Sequence, residues 1–279
     1  MKTISKHILI VIVAIFACIG VLFSLVFIGM QFGIFDVRGT IADRNAFFGP
    51  AASSSPVCVD TKKQICDWTE TPEWAVIKAG FLKDQTIIER VSTETGVPPR
   101  IIASVVVPEQ IRFFTSEREI FKRYFEPLKI LGSMSKFSLG ISGIKQDTAS
   151  MIEEFAASTT SAFYPGPEMS ALIVYPTSVT DRNAELFNRL TDAKNHYYSY
   201  LYTAIYIKEI EAQWKNAGYD ISQNPGVITT LFNIGFQNSH PNANPESGGS
   251  PVTTGGTVYN YGKLGTNFYN SNELPMFSK

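Results

Sequence analysis

Residues 98–114 read PPRIIASVVVPEQIRFF, an apolar run that contains one carboxylate, Glu109. The run opens with two prolines, which suit the first turn of a helix because the amide hydrogens there have no partner within the helix. We therefore predict a helix that carries Glu109 near its C-terminal end. Pro108 removes one backbone hydrogen bond, and we expect it to interrupt the helix just before Glu109 and to turn the carboxylate outward.

Helical patterns also lie on both sides of this run. Gly96 follows the periodic segment 83–95 and is typical of the left-handed residue that ends a helix. The spacing of Ser116 and Glu119 matches a capping box and predicts another helix start. Apolar periodicity predicts further helices within residues 145–157, 181–217 and 224–235. Alternating strand patterns are scarce, so the predicted fold class is mainly α.

The composition excludes several classes of protein. Lys and Arg number 24 against 25 Asp and Glu, and no basic block occurs, which is unlike a nucleic-acid-binding protein with its need for positive charge. Hydrophobic residues make up 44% of the chain, enough for a sizeable core, which argues against disorder throughout. Three Cys and three His do not readily assemble a zinc site with several ligands. The sequence predicts no nucleic-acid partner, no metal and no organic cofactor.

The N-terminal region contains a candidate membrane span at residues 8–30, ILIVIVAIFACIGVLFSLVFIGM, which carries no charge. At a rise of about 1.5 Å per residue, a helix of this length crosses a hydrocarbon core of about 30 Å. The apolar region of a cleaved signal peptide is shorter, about 7 to 15 residues, so we predict an uncleaved signal anchor. Lys2 and Lys6 place residues 1–7 in the cytoplasm by the positive-inside rule, and the rest of the chain on the outer side. The alternative is a lipoprotein cysteine at Cys18, but cleavage there would leave an apolar mature start.

Three regions follow the candidate span. Residues 31–72 are rich in Gly, Pro and Ser and are predicted to be a tether, in which a disulfide between Cys58 and Cys66 would close a short loop; two free thiols are the alternative. Residues 73–236 are predicted to form the folded helical domain. Residues 237–279 are rich in Asn, Gly, Ser and Pro, and their aromatic side chains predict an irregular extension that packs on the helices, rather than a disordered tail.

Glu109 is the candidate catalytic residue. Its sequence neighbours are mostly Ile, Val and Phe, and burial among apolar side chains raises the pKa of a carboxyl, as a general acid that works near neutral pH requires. The alternative is a structural glutamate that lies on a solvated helix face or pairs with Arg112 one turn later. Residue type and spacing alone leave both interpretations open.

Three stretches, taken in order, resemble the lysozyme-like lytic transglycosylases. That family is marked by a helix that ends in a catalytic Glu, then a Gly-Leu-Met-Gln-Ile-x-Pro-x-Thr-Ala stretch, then an Ala-Tyr-Asn-Ala-Gly stretch. The helix with Glu109 resembles the first. Residues 138–149, SLGISGIKQDTA, resemble the second and retain Gly140, Ile144, Thr148 and Ala149. Residues 231–235, LFNIG, resemble the third and retain Asn233 and Gly235.

The resemblance also implies which residues would contact a glycan. They follow the implied catalytic Glu109 or lie in the second and third stretches: Gln110, Ser138, Gly140, Ile141, Ser142, Gly143, Phe232 and Asn233. Four positions depart from the family pattern, namely Gln110 for Ser, Gly143 for Gln, Gln146 for Pro and Phe232 for Tyr. A reshaped glycan groove and a fold that has lost its activity would both account for these departures.

The activity implied by the resemblance is cleavage of the β-1,4 bond between N-acetylmuramic acid and N-acetylglucosamine in peptidoglycan. Family members need one carboxylate, because the 6-hydroxyl of N-acetylmuramic acid attacks its own anomeric carbon and gives a 1,6-anhydro product. Glu109 would act first as the acid and then as the base, and hydrolysis by water, as in lysozyme, stays open. The implied partners are glycan strands, the lipid bilayer and cell-envelope machinery, and the implied location is the bacterial cytoplasmic membrane. The alternative function is a non-catalytic glycan-binding or scaffold domain with the same fold.

Overall fold

The computed structural model describes residues 11, 13–21, 65–113 and 138–279 of the chain. Within these residues the protein is mainly helical, as the sequence predicts, with two small antiparallel hairpins. The helices are α1 (Pro72–Lys83), α2 (Gln85–Thr95), α3 (Pro99–Phe113), α4 (Gln146–Ala157), α5 (Pro167–Leu172), α6 (Arg182–Thr191), α7 (Tyr197–Asn216), α8 (Pro225–Ile234) and α9 (Tyr261–Asn270). The strands are β1 (Ser138–Leu139), paired with β2 (Ile144–Lys145), and β3 (Pro251–Thr254), paired with β4 (Thr257–Asn260). Short 3-10 helices lie at Trp68–Glu70 and Phe236–Asn238.

Local side chains decide where several helices begin and end. Thr71 caps α1 by accepting a hydrogen bond from the amide of Trp74. Asp181 caps α6 in the same way through the amide of Ala184. Such bonds satisfy amides that have no partner within the helix, so they stabilise its first turn. Gly96, at a φ of +69°, ends α2 in the predicted left-handed conformation.

The periodic stretch 181–217 forms two helices, α6 and α7, instead of one. In the connection, the Asp192 carboxylate accepts hydrogen bonds from the backbone amides of Lys194 and Asn195, at 2.8 and 3.1 Å. A side chain that bonds to nearby amides offers the backbone an alternative to the helix. Apolar periodicity alone does not reveal this break, because both helices keep the same spacing of apolar residues.

Helix α3 runs through Pro108 without a break, so the predicted interruption before Glu109 is wrong. Pro108 cannot donate to the carbonyl of Ser104, four residues earlier. The hydroxyl of Thr229 in α8 donates to that carbonyl at 3.5 Å, and a Cβ added at Gly265 in α9 would lie 2.9 Å from the same oxygen. Neighbouring helices therefore accommodate the carbonyl that proline leaves unpaired, and α3 continues to Glu109.

The extension at residues 237–279, predicted to be irregular, contains the β3–β4 hairpin and helix α9. Gly255 and Gly256 form the hairpin turn with φ of +56° and +77°, a backbone conformation that other residues rarely adopt. Asn260 then caps α9 by accepting from the amide of Lys263 at 2.7 Å. Residues that resemble loop in composition thus act here as a turn and a helix cap.

Helix α9 packs against α8 and α3 and belongs to the main core. Gly262 lets the helices approach closely, since a Cβ there would overlap the Thr230 hydroxyl of α8. Phe268 and Phe277 are buried in the same cluster as Trp68. The core therefore extends beyond the predicted domain 73–236 at both ends.

Arg100 of α3 holds the C-terminal end of α9 in place. Its buried guanidinium donates to the backbone carbonyls of Phe268, Tyr269, Ser271, Glu273 and Leu274. A cation is favoured at this end of a helix, where carbonyl groups lack partners, although burial lowers the pKa of Arg100. The contact joins the helix that carries Glu109 to the helix that begins at Tyr261.

The N-terminal region is described in part. Residues 13–21 are helical, and none of the helices in the described ranges is both long and apolar enough to cross a membrane. Most of the predicted span 8–30, residues 31–64 of the predicted tether and the capping box at Ser116 lie outside the described residues. The signal anchor and the helix start at residue 116 stay predictions.

Two of the three cysteines, Cys18 and Cys66, lie within the described residues. Cys18 is an exposed free thiol, whereas Cys66 is buried and belongs to a disulfide. Cys58 lies outside the described residues, so its pairing with Cys66 stays a prediction. The amide of Cys66 also donates to the carbonyl of Gly255 at 2.8 Å, which ties the start of the folded region to the β3–β4 turn.

Candidate functional site

Glu109 lies near the C-terminal end of α3, with 12% of its side chain exposed. A donor approaches each oxygen of its carboxylate. Arg112 Nη2 donates to Oε1 at 2.5 Å, and the hydroxyl of Tyr261 donates to Oε2. An ionised carboxylate accepts both bonds, and such charge-assisted bonds are stronger than bonds between neutral groups.

The carboxylate of Glu109 contacts polar donors, although its sequence neighbours are mostly apolar. Successive residues of a helix point about 100° apart, so side chains that are neighbours in sequence face different directions. Val107 and Ile111 are fully buried, whereas Glu109 lies at the edge of the core. The structural alternative, a pair with Arg112 one turn later, is confirmed. Each oxygen of the carboxylate therefore has a polar donor.

Residues 140–143 connect β1 to β2, and we call them the Gly143 turn. Gly143 itself lies against Glu109. Gly140 and Gly143 have φ of +62° and +63°, a left-handed conformation that is unfavourable for residues with a Cβ. A Cβ added at Gly143 would also overlap the Glu109 carboxylate. Glycine at this position thus both permits the turn and leaves space for the carboxylate.

Buried polar groups hold the Gly143 turn in place. On one side, Gln110 Nε2 of α3 donates to the carbonyl of Ile141. On the other side, the Ser199 hydroxyl of α7 accepts from the Ile141 amide at 3.2 Å. The hydroxyl of Ser142 donates to the Ser199 carbonyl at 3.3 Å and accepts from Thr203 at 2.5 Å. These bonds are shielded from water and fix the turn relative to the end of α3.

Several residues that were predicted to contact a glycan are buried instead. The buried ones are Gln110, Ile141 and Ser142, each 1% exposed. They support the Gly143 turn from within, and a ligand at the surface does not reach their side chains. Gly140 and Gly143 are partly exposed, and Ser138 lies in β1, at the start of the hairpin. A ligand would therefore meet the backbone of the turn.

The third predicted stretch is linked to the site through the C-terminal region. Phe232 is 9% exposed and packs on a tyrosine ring of α7, so it fills the core. Asn233 is partly exposed, and its Oδ1 accepts from the amide of Ser250 at 2.8 Å. The carbonyl of Ser250 accepts from the amide of Tyr261 at 3.2 Å. Asn233 thus lies one loop away from the residue that contacts Glu109.

Tyr261 is the site residue that the sequence reasoning missed. It is the first residue of α9, is fully buried and is separated from Glu109 by 152 positions in the chain. The available signal was an aromatic residue in a tail rich in Asn and Gly, directly after Asn260, which caps the helix. Only the packing of α9 on α3 and α8 shows that the hydroxyl reaches the carboxylate.

A second carboxylate, Glu153 of α4, also accepts hydrogen bonds from tyrosine hydroxyls. Tyr175 donates to it at 2.5 Å and Tyr202 donates to the same oxygen, while Arg182 lies 3.3 Å from the other oxygen. Burial, together with the bond to Glu153, raises the pKa of Tyr175 to about 12. These contacts join α4 to α7, which indicates a structural role.

No family model matches the chain, and no curated protein or solved structure is significantly similar to it. Within the described ranges, no group of three or more His, Cys, Asp or Glu could hold a metal ion. The lysozyme-like fold and the resemblance to lytic transglycosylases therefore stay predictions that rest on the three sequence stretches.

The arrangement around Glu109 orients its carboxylate and favours the ionised form, which can accept a proton. Its carboxylate is partly exposed, and the neutral donor Tyr261 orients one of its oxygens. The cationic donor Arg112 binds the other oxygen and favours the ionised form. Protonation of Glu109 therefore requires that the contact with Arg112 be weakened.

Proposed function

We propose that this protein cleaves the β-1,4 bond between N-acetylmuramic acid and N-acetylglucosamine in peptidoglycan, with Glu109 as its acid and base. The observation that supports the proposal is that one partly exposed carboxylate lies where α3, the Gly143 turn and α9 meet. The helix of Glu109 and the turn are two of the three stretches on which the family resemblance rests. Tyr261 adds a hydroxyl that orients the carboxylate.

The proposed reaction uses one carboxyl group twice. Protonated Glu109 donates its proton to the glycosidic oxygen, and the bond from that oxygen to the anomeric carbon of N-acetylmuramic acid breaks. The carboxylate then removes the proton from the 6-hydroxyl of the same sugar, whose oxygen bonds to the anomeric carbon. The product is a 1,6-anhydro sugar, and attack by water in place of the 6-hydroxyl would give a hydrolytic product.

The proposed setting is the outer side of the cytoplasmic membrane. Residues 8–30 would anchor the chain, and the folded region would act on nearby glycan strands or within cell-envelope machinery. Neither a metal nor an organic cofactor takes part in the proposed steps.

A non-catalytic glycan-binding domain is the second candidate, and the ion pair between Glu109 and Arg112 favours it. A cation 2.5 Å from the carboxylate stabilises the ionised form, which has no proton to donate. The same backbone turn and the same partly exposed carboxylate would then bind a sugar without cleaving it.

The test is turnover of purified sacculi, and of glycan strands that an amidase has stripped of stem peptides, by the full-length chain in a mild detergent. Mass spectrometry of the soluble products would detect 1,6-anhydro sugars, with or without stem peptides. We expect Glu109→Gln to lower the rate by at least about 100-fold, because the amide has no acidic proton to give.

The matched control is Glu154→Gln, which removes an exposed carboxylate from α4 and should keep the wild-type rate. A Glu109→Gln rate within about threefold of the wild type would exclude Glu109 as the acid. Binding to sacculi without turnover, by the wild type as well as by the variant, would favour the second candidate.

A further inference from the structure

Arg112 is a cation in direct contact with the Glu109 carboxylate. It lies one turn after Glu109 on α3, and its guanidinium lies 5.8 Å from the ring centroid of Tyr261. The side chain is 21% exposed, so the ion pair lies at the surface edge of the site and not in the core. Arg112 can therefore reach a ligand without unfolding of α3.

The ion pair conflicts with the acid step of the proposed reaction. A carboxyl group that donates a proton must first carry one, and a neighbouring cation favours the ionised form. Two changes would reverse this preference, namely departure of the cation and arrival of an anion. A substrate that binds Arg112 through its own carboxylate would bring about both changes at once.

N-acetylmuramic acid carries such a group on the same sugar ring as the anomeric carbon at which the bond breaks. The lactyl ether on its 3-oxygen ends in a free carboxylate when no peptide is attached, and in an uncharged amide when the stem peptide is attached. A guanidinium binds a carboxylate through two parallel, charge-assisted hydrogen bonds, whereas an amide presents a single neutral acceptor oxygen. Arg112 would thus distinguish the two forms of the sugar.

We propose that Arg112 determines specificity and selects glycan strands whose lactyl groups carry no stem peptide. This inference rests on the proposed function. The lactyl carboxylate draws Arg112 away from Glu109, and the negative charge that it brings favours the protonated form of Glu109. Tyr261 also donates to Glu109, and its hydroxyl stays on Oε2 and keeps the carboxyl group oriented.

Cleavage of the glycan by this protein would follow another enzymatic reaction. The preferred substrate forms only after hydrolysis of the amide bond between the lactyl group and the stem peptide. An amide hydrolase must therefore act on the strand first. Strands that still carry peptides would bind more weakly and would leave Glu109 paired with Arg112.

Equilibrium binding tests the inference independently of turnover. The probes are soluble glycan strands of matched length, either with stem peptides or stripped of them by an amidase, titrated against the full-length chain in detergent. We expect the wild type to bind stripped strands at least about tenfold more tightly. Arg112→Gln should reduce this ratio to within about twofold, and Arg112→Lys should keep part of it, because a lysine retains the charge but not the paired geometry.

The matched control is Arg90→Gln, which removes another arginine that pairs with a glutamate on a helix, Glu94, at 2.9 Å. It should keep the full preference, which separates a role of Arg112 from the general attraction of anionic strands. Thermal unfolding of each variant would show that it is folded. Equal ratios for wild type and Arg112→Gln, or tighter wild-type binding to peptide-bearing strands, would overturn the inference.

Turnover of the same two probes separates this inference from the proposed function. Cleavage of both strands at equal rates, with no binding preference, would leave the activity intact and reject the role of Arg112. A preference that depends on Arg112, without cleavage of either strand, would support the role in binding and reject the acid step. Absence of both binding and cleavage would reject the two proposals together.

Discussion

Glu109 and Glu209 are two helical carboxylates with opposite surroundings. Glu109 is 12% exposed and has a donor at each oxygen, Arg112 and Tyr261. Glu209 of α7 is fully buried, and neither of its oxygens has a hydrogen-bond partner among the described residues. Burial raises the pKa of Glu209 from 4.5 to about 10, so this carboxyl is neutral at pH 7.

The contrast teaches that apolar neighbours in sequence do not mark an apolar site. Glu109 has apolar sequence neighbours, yet it reaches polar donors at the edge of the core. Glu209 lies beside Lys208 and two positions before Glu211, a pattern typical of a solvated helix face. It is buried because α7 is a central helix that contacts α2, α4, α6 and α8. Tertiary packing, rather than local sequence, decides which carboxylate is fully desolvated.

The largest expected effect is a pH dependence of the free energy of unfolding, caused by Glu209. The unfolded chain loses the proton near its usual pKa of 4.5, whereas the folded chain holds it until about pH 10. The contribution of Glu209 to the free energy of unfolding has its full value below a pH of 4.5 and is lost as the pH rises towards about 10. Glu209→Gln cannot ionise, so relative to the variant the wild type should lose about 3 kcal/mol between about pH 6 and about pH 8.

Urea unfolding of the full-length chain across this pH range would measure the difference. Glu154→Gln, an exposed carboxylate on α4, is the control and should keep the wild-type slope. If Glu209→Gln also keeps the wild-type dependence of the free energy of unfolding on pH, burial does not hold Glu209 in its neutral form.

An intermediate effect is expected when the space around Glu109 is filled. Gly143→Ala places a methyl group against the carboxylate and also puts a Cβ on a left-handed residue. We expect a loss of about 2 kcal/mol in the free energy of unfolding, about half of it from the backbone conformation. The displaced carboxylate should also lower the turnover of sacculi.

Gly96→Ala provides the matched control for the backbone term. Gly96 has nearly the same φ, +69° against +63°, but a Cβ there would have open space around it. Urea unfolding should show a loss of only about 1 kcal/mol, with turnover unchanged. Equal losses of stability and of turnover in both variants would show that the Gly143 turn does not restrict Glu109.

The smallest expected effect concerns the second donor. Tyr261→Phe removes the hydroxyl that bonds to Glu109 and should reduce the free energy of unfolding by about 1 kcal/mol. Tyr197→Phe is the control, because it removes a similar bond, from Tyr197 to Glu94 at 2.6 Å. Both variants should lose similar stability in urea unfolding, but only Tyr261→Phe should lower turnover, by about tenfold. Unchanged turnover in Tyr261→Phe would mean that its hydroxyl does not orient the acid.

The local parts of the candidate site could be predicted from sequence, including the pair of Glu109 with Arg112, and its distant partner Tyr261 could not. Glu109 was singled out from its residue type and sequence neighbours, and Gly143 from the family resemblance, and the structure brings the two together. Gln110 was expected to face a glycan but is buried against the turn, because helical geometry directs it into the core. Tyr261 could not be assigned to the site, since no residue near it in the chain indicates that its hydroxyl contacts Glu109.

The sequence by itself determined the helical character of the chain and many helix ends, because caps, prolines and glycines act on residues only a few positions away. The left-handed Gly96 and the capping Asn260 are examples. The tertiary structure alone decided that α3 continues through Pro108, that Arg100 binds the end of α9, and that Tyr261 reaches Glu109 across 152 positions. These outcomes depend on which helices pack together. The whole core sets that packing, because a short stretch of sequence does not specify which distant residues it will contact.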